Sequence, residues 1–427
     1  MARSRTLYRV LAALLAIVLV VLLAIRLSRV DESRPPAAPT EASTAADNTA
    51  LVERGRYLAL AANCASCHSR PGGAPFSGGV AFETPLGTIY SSNITADAVH
   101  GIGKWTLADL RRALHEGISA RGYRLFPAFP YTSFTRITDQ DVNAIYAYLR
   151  TVAADAYSPP PNGALFKQRW AMAVWNGLFF SPGRFTPNPT QSAEWNTGAY
   201  LVEALGHCGA CHSPRNVFMA EVQTRADQGG SIREHVDGGK IRDWSAVNLT
   251  SSSAGLKSWS VDDLAKYLHS GFSLRAGAFG PMNEVIANST SNMRTEDIRA
   301  MATYIKSLPQ GGEAGTPVTL ELAAPGEAIY RDRCQKCHGT SGRGGMFSGP
   351  PLAGSAVVQA EDPASLINAI LYGAAPSKGV SLGAWETMRP YADVLGDSEV
   401  AAVANYVRGT WGNHAPRVDA AMVGKQR

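Results

Sequence analysis

Cys64-Ala-Ser-Cys-His68, Cys208-Gly-Ala-Cys-His212 and Cys334-Gln-Lys-Cys-His338 are three copies of one motif, and together they use all six cysteines of the 427-residue chain. Two residues separate the cysteines and a histidine follows directly, which is the spacing of covalent haem attachment. The two sulfurs form thioethers to the haem vinyl groups while the histidine reaches the iron, so the spacing has to be short and fixed. A zinc site would need a fourth ligand in each copy, and no cysteine remains to supply one.

The three motifs therefore predict three covalently bound haem c groups. The attachment residues are Cys64, Cys67, Cys208, Cys211, Cys334 and Cys337. The histidines expected to bind the iron are His68, His212 and His338. Because every cysteine is used, none is left for a structural disulfide or a catalytic thiol.

The segments around the motifs repeat along the chain. Arg54-Gly-Arg-Tyr57 before the first motif corresponds to Thr197-Gly-Ala-Tyr200 before the second, and Trp105–Gly117 recurs as Trp259–Gly271. The second residue of each recurring segment, Thr106 or Ser260, stands where a helix N-cap would, ahead of apolar residues at helical spacing. Each unit ends in a helical pattern with an acidic residue and a tyrosine seven positions later: Asp141 and Tyr148, Asp297 and Tyr304, Glu399 and Tyr406.

Strand signals are few, so the repeats predict an all-α fold of three tandem class I cytochrome c-like domains behind one N-terminal transmembrane helix. The expected division is 1–30 membrane anchor, 31–48 linker, 49–158 first domain, 159–190 aromatic-rich connector, 191–310 second domain, 311–320 linker, 321–415 third domain and 416–427 tail. The connector is expected to pack between units, with the membrane or a partner subunit as the alternative.

The apolar run Val10–Ile25 is flanked by arginine on both sides. As a helix it spans roughly 24 Å at 1.5 Å per residue, slightly short for a ~30 Å hydrocarbon core. A cleaved signal peptide is the alternative, but Arg26-Leu-Ser-Arg29 is a poor cleavage site. Arg3, Arg5 and Arg9 precede the run, so the amino end is expected to stay cytoplasmic. We therefore expect a single-pass anchor in the cell inner membrane, with the body of the protein in the periplasm.

The formal charge of +5 gives no sign of a nucleic-acid partner. Residues 1–30 contain five arginines and no acidic residue, so the remainder of the chain is balanced. A basic surface is the usual electrostatic footprint of nucleic-acid binding.

Methionine opposite histidine closes the iron and favours electron transfer over catalysis. The second unit offers Met282 in Gly280-Pro-Met-Asn283, and the third offers Met388 in Glu386-Thr-Met-Arg-Pro390. Other methionines of these units are poorer candidates. Met293 and Met301 lie at or within the closing helix, and Met346 is close to its own motif.

The first unit has no methionine between His68 and Arg150, and Phe129 aligns with Met282. His115 has a repeat mate in His269, whose unit already has a methionine, so a structural role is expected for it. His100, Met172 or an open iron site remain as alternatives. The sixth ligand of the first haem is left unassigned.

The runs Gly87-Thr-Ile-Tyr-Ser-Ser-Asn-Ile-Thr95, Tyr200–Arg215, Ala278-Phe-Gly-Pro-Met282 and Arg408-Gly-Thr-Trp-Gly-Asn413 resemble the triheme cytochrome c subunits of membrane-bound periplasmic dehydrogenases, such as those for alcohol, gluconate, sorbitol, fructose and aldehydes. The resemblance implies a separate catalytic subunit carrying pyrroloquinoline quinone, flavin or molybdopterin. It also implies that electrons pass from that subunit through this chain to ubiquinone or another acceptor of the respiratory chain.

Many members of that family have Pro-Ala-Met-Pro-Tyr where this chain has Pro127-Ala-Phe-Pro-Tyr131. The phenylalanine form resembles cytochromes paired with molybdenum hydroxylases acting on aldehydes or N-heterocycles. No flavin or pterin fingerprint occurs, so we expect an electron-transfer subunit without catalytic residues. The alternatives are a multihaem peroxidase or dehydrogenase using an open first haem, and a respiratory oxidase subunit.

Overall fold

The computed structural model describes Leu19 and residues 45–163, 166, 169–236, 240–312, 316–345, 347–376, 383 and 385–427. Helix accounts for 44% of the structure, in agreement with the expected dominance of helices. Within the described ranges the strands form three two-stranded antiparallel hairpins, a small addition to the helices that accords with the few strand signals in the sequence. The longest hairpin pairs Gly230–Val236 with Lys240–Ala246. The sequence between them, Asp-Gly-Gly, contains the glycines that signal a short hairpin connection and could have indicated it.

The predicted membrane segment Val10–Ile25 lies outside the described residues, except for Leu19. Within the described part of the chain, no helix combines the length and the apolar character needed to cross a membrane.

The first unit contains five helices and one hairpin. They are α1 (Ala45–Ala61), α2 (Cys64–His68), β1 (Ala81–Thr84), β2 (Gly87–Tyr90), α3 (Leu107–Glu116), α4 (Tyr131–Phe134) and α5 (Asp139–Leu149). The connector contributes α6 (Ala171–Phe179).

The second unit has the same order of helices with two hairpins. Its elements are α7 (Ala193–Tyr200), a π turn (Leu201–Leu205), α8 (Gly209–His212), a 3₁₀ turn (Gln223–Arg225), β3 (Gly230–Val236), β4 (Lys240–Ala246), α9 (Val261–Ser270), β5 (Phe272–Ser273), β6 (Ala276–Gly277), α10 (Pro281–Asn288), a 3₁₀ turn (Thr290–Asn292) and α11 (Thr295–Lys306).

In the described residues of the third unit, the named regular elements are all helices. Its elements are α12 (Leu320–Ala323), a 3₁₀ turn (Ala324–Gly326), α13 (Glu327–Arg333), α14 (Gln335–His338), α15 (Ala356–Gln359), α16 (Ala364–Tyr372), α17 (Asp397–Gly409) and α18 (Ala420–Gly424).

The middle helices α3 and α9 begin at the expected N-caps. The side chain of Thr106 accepts a hydrogen bond from the backbone N–H of Asp109, whose carboxylate accepts from the N–H of Thr106 in return. Ser260 and Asp263 form the same reciprocal pair at the start of α9. Each pair satisfies two backbone donors that the first turn of a helix leaves without partners.

In every unit the opening segment crosses the closing helix at a glycine. A Cβ added at Gly55 would lie 1.9 Å from the carbonyl oxygen of Ala144. At Gly198 it would lie 2.0 Å from that of Ala300, and at Gly326, 2.1 Å from that of Ala402. Only glycine allows two backbones to approach this closely, and this explains why the glycine recurs before each motif.

The apolar interior is divided unequally among the units. One core cluster joins the first two units, with residues such as Leu58 and Val142 from the first and Leu205 and Ile298 from the second. A separate cluster around Leu371 belongs to the third unit. The residues after 415 pack onto this third core, where Val423 is fully buried.

The connector packs between the first and second units, as expected. The hydroxyl of Tyr131 donates to Oδ1 of Asn176 on α6 at 2.6 Å. The indole N–H of Trp175 donates to the backbone carbonyl of Phe218 in the second unit at 2.8 Å. The helix α6 therefore lies between the first and second units and contacts both of them.

Candidate haem sites

The three motif histidines share one arrangement. Nδ1 of His68 lies 2.7 Å from the carbonyl oxygen of Ser92, and Nδ1 of His212 lies 2.7 Å from that of Val247. In the third unit, Nδ1 of His338 lies 2.9 Å from the carbonyl oxygen of Pro350. A carbonyl oxygen can only accept, so each ring donates from Nδ1 and carries its lone pair on Nε2. This is the arrangement that orients histidines for binding a metal through Nε2.

A short repeated sequence holds these carbonyl groups in the first two units. Ser92 precedes Asn93-Ile-Thr95, and Val247 precedes Asn248-Leu-Thr250. Oδ1 of Asn93 accepts from the N–H of Thr95 at 2.9 Å, and Oδ1 of Asn248 accepts from that of Thr250 at 2.8 Å. The repeat is visible in the sequence, but its role in orienting the imidazole emerges only from the structure.

Burial sets the protonation of the motif histidines. It lowers the pKa of His68, His212 and His338 below the usual value for imidazole, and the hydrogen bond to the carbonyl opposes this only in part. The neutral imidazole that results is the form that binds metals.

Burial acts in the opposite direction on the motif thiols. It raises the pKa of Cys64, Cys67 and Cys208 to about 12 and that of Cys334 to about 11. These thiols stay protonated at neutral pH, so they lack the thiolate character of a catalytic or redox-sensing cysteine. Paired cysteines beside an oriented, neutral histidine fit the requirements of covalent haem attachment.

Met282 lies in the first turn of α10 and is partly buried against the joined core of the first two units. Its helix also contacts α2, which carries the first motif. The next residue, Asn283, donates from Nδ2 to the carbonyl oxygen of Ala375 in the third unit at 3.0 Å. The Met282 segment is therefore held between neighbouring units.

Met388 lies in a segment that runs beside the third motif. The hydroxyl of Tyr391 donates to the carbonyl of Arg333, the residue before Cys334, at 2.8 Å. The N–H of Ala374 donates to the carbonyl of Met388 at 3.2 Å. Because Ala375 accepts from Asn283, the Met282 and Met388 segments are linked through two adjacent residues.

Phe129 occupies the position of Met282 in the first unit and packs edge-on against Phe134, with ring centroids 5.5 Å apart. Each of the two histidine candidates has a carboxylate within 4 Å of Nδ1. Nδ1 of His100 lies 3.4 Å from Asp97, and that of His115 lies 3.6 Å from Asp139.

His115 is almost fully buried, and burial lowers its pKa to about 4. Neither of its ring nitrogens has a hydrogen-bond partner among the described residues. Met172 packs against the cluster of Tyr131 and Trp175. The sixth ligand of the first site therefore stays unassigned.

The first and second motifs lie close together. Cys67 and Cys211 line the same broad groove, and the charge of Cys211 contributes, after burial, to the raised pKa of Cys67. Nδ2 of Asn288 in the second unit donates to Oγ of Ser66 inside the first motif at 2.9 Å. The ring of His207, which precedes the second motif, lies 5.4 Å from that of Phe134 in the first unit.

Two family models match the chain. Cytochrome c matches residues 52–153, and cytochrome c oxidase, cbb3-type, subunit III matches residues 321–407. The matched regions contain the first and third motifs. The chain is thus built from cytochrome c domains, a type of domain that holds haem c covalently.

Several relatives match most of the chain. The alcohol dehydrogenase (quinone), cytochrome c subunit, of Gluconacetobacter polyoxogenes is 38% identical over 405 residues, which is 90% of this chain and 86% of that protein. The gluconate 2-dehydrogenase cytochrome c subunit of Pantoea cypripedii is 36% identical over 387 residues, or 86% of this chain and 87% of that protein. The chain therefore belongs to the family of cytochrome c subunits of dehydrogenases.

One nicotinate dehydrogenase subunit of Pseudomonas putida is 40% identical over 372 residues. The match covers 84% of this chain but only 30% of that longer protein. These comparisons favour an electron-transfer subunit over the alternative of a multihaem peroxidase or dehydrogenase.

Proposed function

We propose that the chain is a triheme electron-transfer subunit that relays electrons from a catalytic dehydrogenase subunit to ubiquinone or another acceptor of the respiratory chain. Haem c would be attached through the cysteine pairs of the three motifs and bound through His68, His212 and His338. When bound, these groups supply one-electron exchange at fixed positions. The chain itself contributes binding, orientation and exclusion of water.

The observation that carries the proposal is the shared arrangement of the three motif histidines. In every motif a backbone carbonyl accepts from Nδ1, so in all three sites Nε2 is the nitrogen left to bind a metal. Three similarly built sites in one chain suit a relay better than a single catalytic centre.

The sixth ligands are proposed from sequence position and the neighbouring contacts. Met282 and Met388 would complete the second and third sites, which favours electron transfer because a closed iron has no position for substrate. The link between the Met282 and Met388 segments through Asn283 and Ala375 supports a short path between these two sites.

The names of the relatives support the proposed partners. A quinone appears in the name of the alcohol dehydrogenase relative, which supports ubiquinone as the acceptor. Nicotinate is an N-heterocycle, so the nicotinate dehydrogenase relative, together with Phe129, supports a molybdenum-type catalytic partner over a flavin or pyrroloquinoline quinone type. The residues 1–30 would anchor the protein in the inner membrane with its body in the periplasm.

Haem content and reduction by a partner test this function. The chain is produced in a host that matures c-type cytochromes, and we expect three haems per chain by pyridine haemochrome analysis. The paired variants C64A/C67A, C208A/C211A and C334A/C337A should each lose one haem. The purified complex with its dehydrogenase should reduce the haems on addition of substrate and be reoxidised by a ubiquinone analogue. Two haems per chain, or turnover of peroxide by the isolated chain, would contradict the proposal.

A further inference from the structure

Two tyrosine–aspartate hydrogen bonds join the first and second units, and each unit supplies one tyrosine and one aspartate. The hydroxyl of Tyr200 on α7 donates to Oδ2 of Asp141 on α5 at 2.6 Å. The hydroxyl of Tyr57 on α1 donates to Oδ2 of Asp297 on α11. Asp141 and Asp297 are only 2% and 5% exposed, so both bonds lie inside the interface, where hydrogen bonds to a carboxylate are strong.

The same hydroxyls also accept hydrogen bonds from the partner unit. The backbone N–H of Thr138, at the N-cap of α5, donates to Tyr200 at 3.2 Å. That of Arg294, at the N-cap of α11, donates to Tyr57 at 3.2 Å. Each tyrosine thus both donates to and accepts from the first turn of the other unit's closing helix. We call these two sets of contacts the reciprocal latches.

Each carboxylate keeps a second partner that does not depend on the latch. Nε of Arg54 donates to Asp141 at 2.8 Å, and Nε of Arg294 donates to Asp297 at 2.9 Å. Removing a tyrosine hydroxyl would therefore leave neither carboxylate without a partner. The change would affect how the units are held together more than the charge balance of the interface.

The latches join the same two units whose motifs lie close together. Asn288 contacts Ser66 within the first motif, His207 beside the second motif contacts Phe134, and both Cys67 and Cys211 line one groove. The third unit has Ala328 at the tyrosine position and Glu399 at the aspartate position. Only the first two motifs are therefore candidates for positioning by this device.

We propose that the Tyr57–Asp297 and Tyr200–Asp141 latches are positioning contacts that fix the separation of the first and second haem sites and so set the rate at which electrons pass between them. Electron transfer slows steeply as redox centres move apart, so a small loosening of this interface changes the rate more than it changes the fold. The inference rests on the proposed function, because it requires haem in both sites.

The test uses the full chain with its haems attached and the double variant Y57F/Y200F. We expect three haems per chain and unchanged optical spectra. The magnetic interaction between two of the oxidised haems, seen by electron paramagnetic resonance, should weaken. Electron equilibration after pulse-radiolytic reduction should become several-fold slower in the phase that connects the first two sites.

The matched control is Y146F/Y372F, which also removes two tyrosine hydroxyls. Tyr146 donates to the carbonyl of Trp105 at 3.0 Å and Tyr372 to that of Gln426 at 2.5 Å, both within single units. The inference is overturned if Y57F/Y200F behaves as wild type, or if the control changes the interaction equally.

A conservative variant and single variants complete the test. D297N keeps an oxygen that can accept from Tyr57 and should retain nearly all of the coupling. If the double variant loses haem, Y57F and Y200F are measured singly, and each should weaken the interaction. Fewer than three haems in the wild-type chain would contradict the proposed function instead, so the two failures are distinguishable.

Discussion

At Phe129 an aromatic ring stands where the repeat has Met282, and it packs against Phe134 rather than offering a lone pair to a metal. Nδ1 of His100 lies 3.4 Å from Asp97, and His115 has a repeat mate in His269, whose unit already offers Met282. We therefore expect the first site to lack a strong sixth ligand. The reduced chain should bind about one carbon monoxide for three haems, as read from optical difference spectra.

The variant F129M should abolish this carbon monoxide binding and raise the potential of one haem, because a thioether would close the iron. F134M places a methionine in the same core away from the ligand position and serves as the control. If all three haems of the wild-type chain are low-spin and do not bind carbon monoxide, another residue provides the sixth ligand of the first haem.

The assignments of Met282 and Met388 are tested by M282L and M388L. Leucine keeps the volume of the side chain but cannot bind iron. Each variant should therefore gain one haem that binds carbon monoxide, and the reduction potential of that haem should fall. M172L is the informative comparison, because Met172 packs in the cluster of Tyr131 and Trp175 and its loss should leave all spectra unchanged. Unchanged spectra in M388L would remove Met388 from the ligand set.

At the scale of elements, the glycine crossings decide whether each unit can close. In G198A the new methyl group would meet the carbonyl of Ala300 at 2.0 Å, and we expect a loss of about 1–3 kcal/mol in the free energy of unfolding. G177A on α6 has nothing within 4 Å of the added Cβ and should be neutral, or more stable by up to about 1 kcal/mol. Guanidinium titrations followed by circular dichroism compare the two, and equal midpoints would refute the argument.

Local patterns in the sequence predicted the helices better than they predicted the contacts between distant parts of the chain. Thr106 and Ser260 could be recognised as N-caps because a cap depends on residues three positions apart. The hairpin of Gly230–Val236 and Lys240–Ala246 was missed, although the glycine-containing sequence between the two strands is a local signal. The sequence could not show that the carbonyl groups of Ser92 and Val247 accept from the motif histidines. The loop between each histidine and its carbonyl group determines whether the two come close together, and the path of that loop is not a local pattern. The bond from Tyr57 to Asp297 spans 240 positions, a distance over which no pattern in one sequence carries information.

At the scale of the whole molecule, two separate cores imply two separable folding events. Ile298 lies in the core that joins the first two units, and Leu371 lies in the core of the third. Each is at most 1% exposed, so alanine at either position should cost about 2–5 kcal/mol.

Hydrogen exchange read by mass spectrometry should locate the two effects. I298A should reduce protection in both of the first two units, including α5, and leave α17 as in wild type. L371A should reduce protection in α17 and α18 and leave α5 and α11 unchanged. Loss of protection throughout the chain in either variant would mean that the three units fold as a single cooperative block.

The reciprocal latches also make the first two units an internal dimer with approximate two-fold symmetry. Such an isologous contact is closed, because each face pairs with its own equivalent and no complementary half is left over for further growth. The third unit is attached by unrelated contacts, such as the paired backbone and side-chain bonds between Ser245 and Ser365. The chain is thus assembled as a closed pair of units with a third unit appended, and this arrangement limits self-association through the surface that the latches occupy.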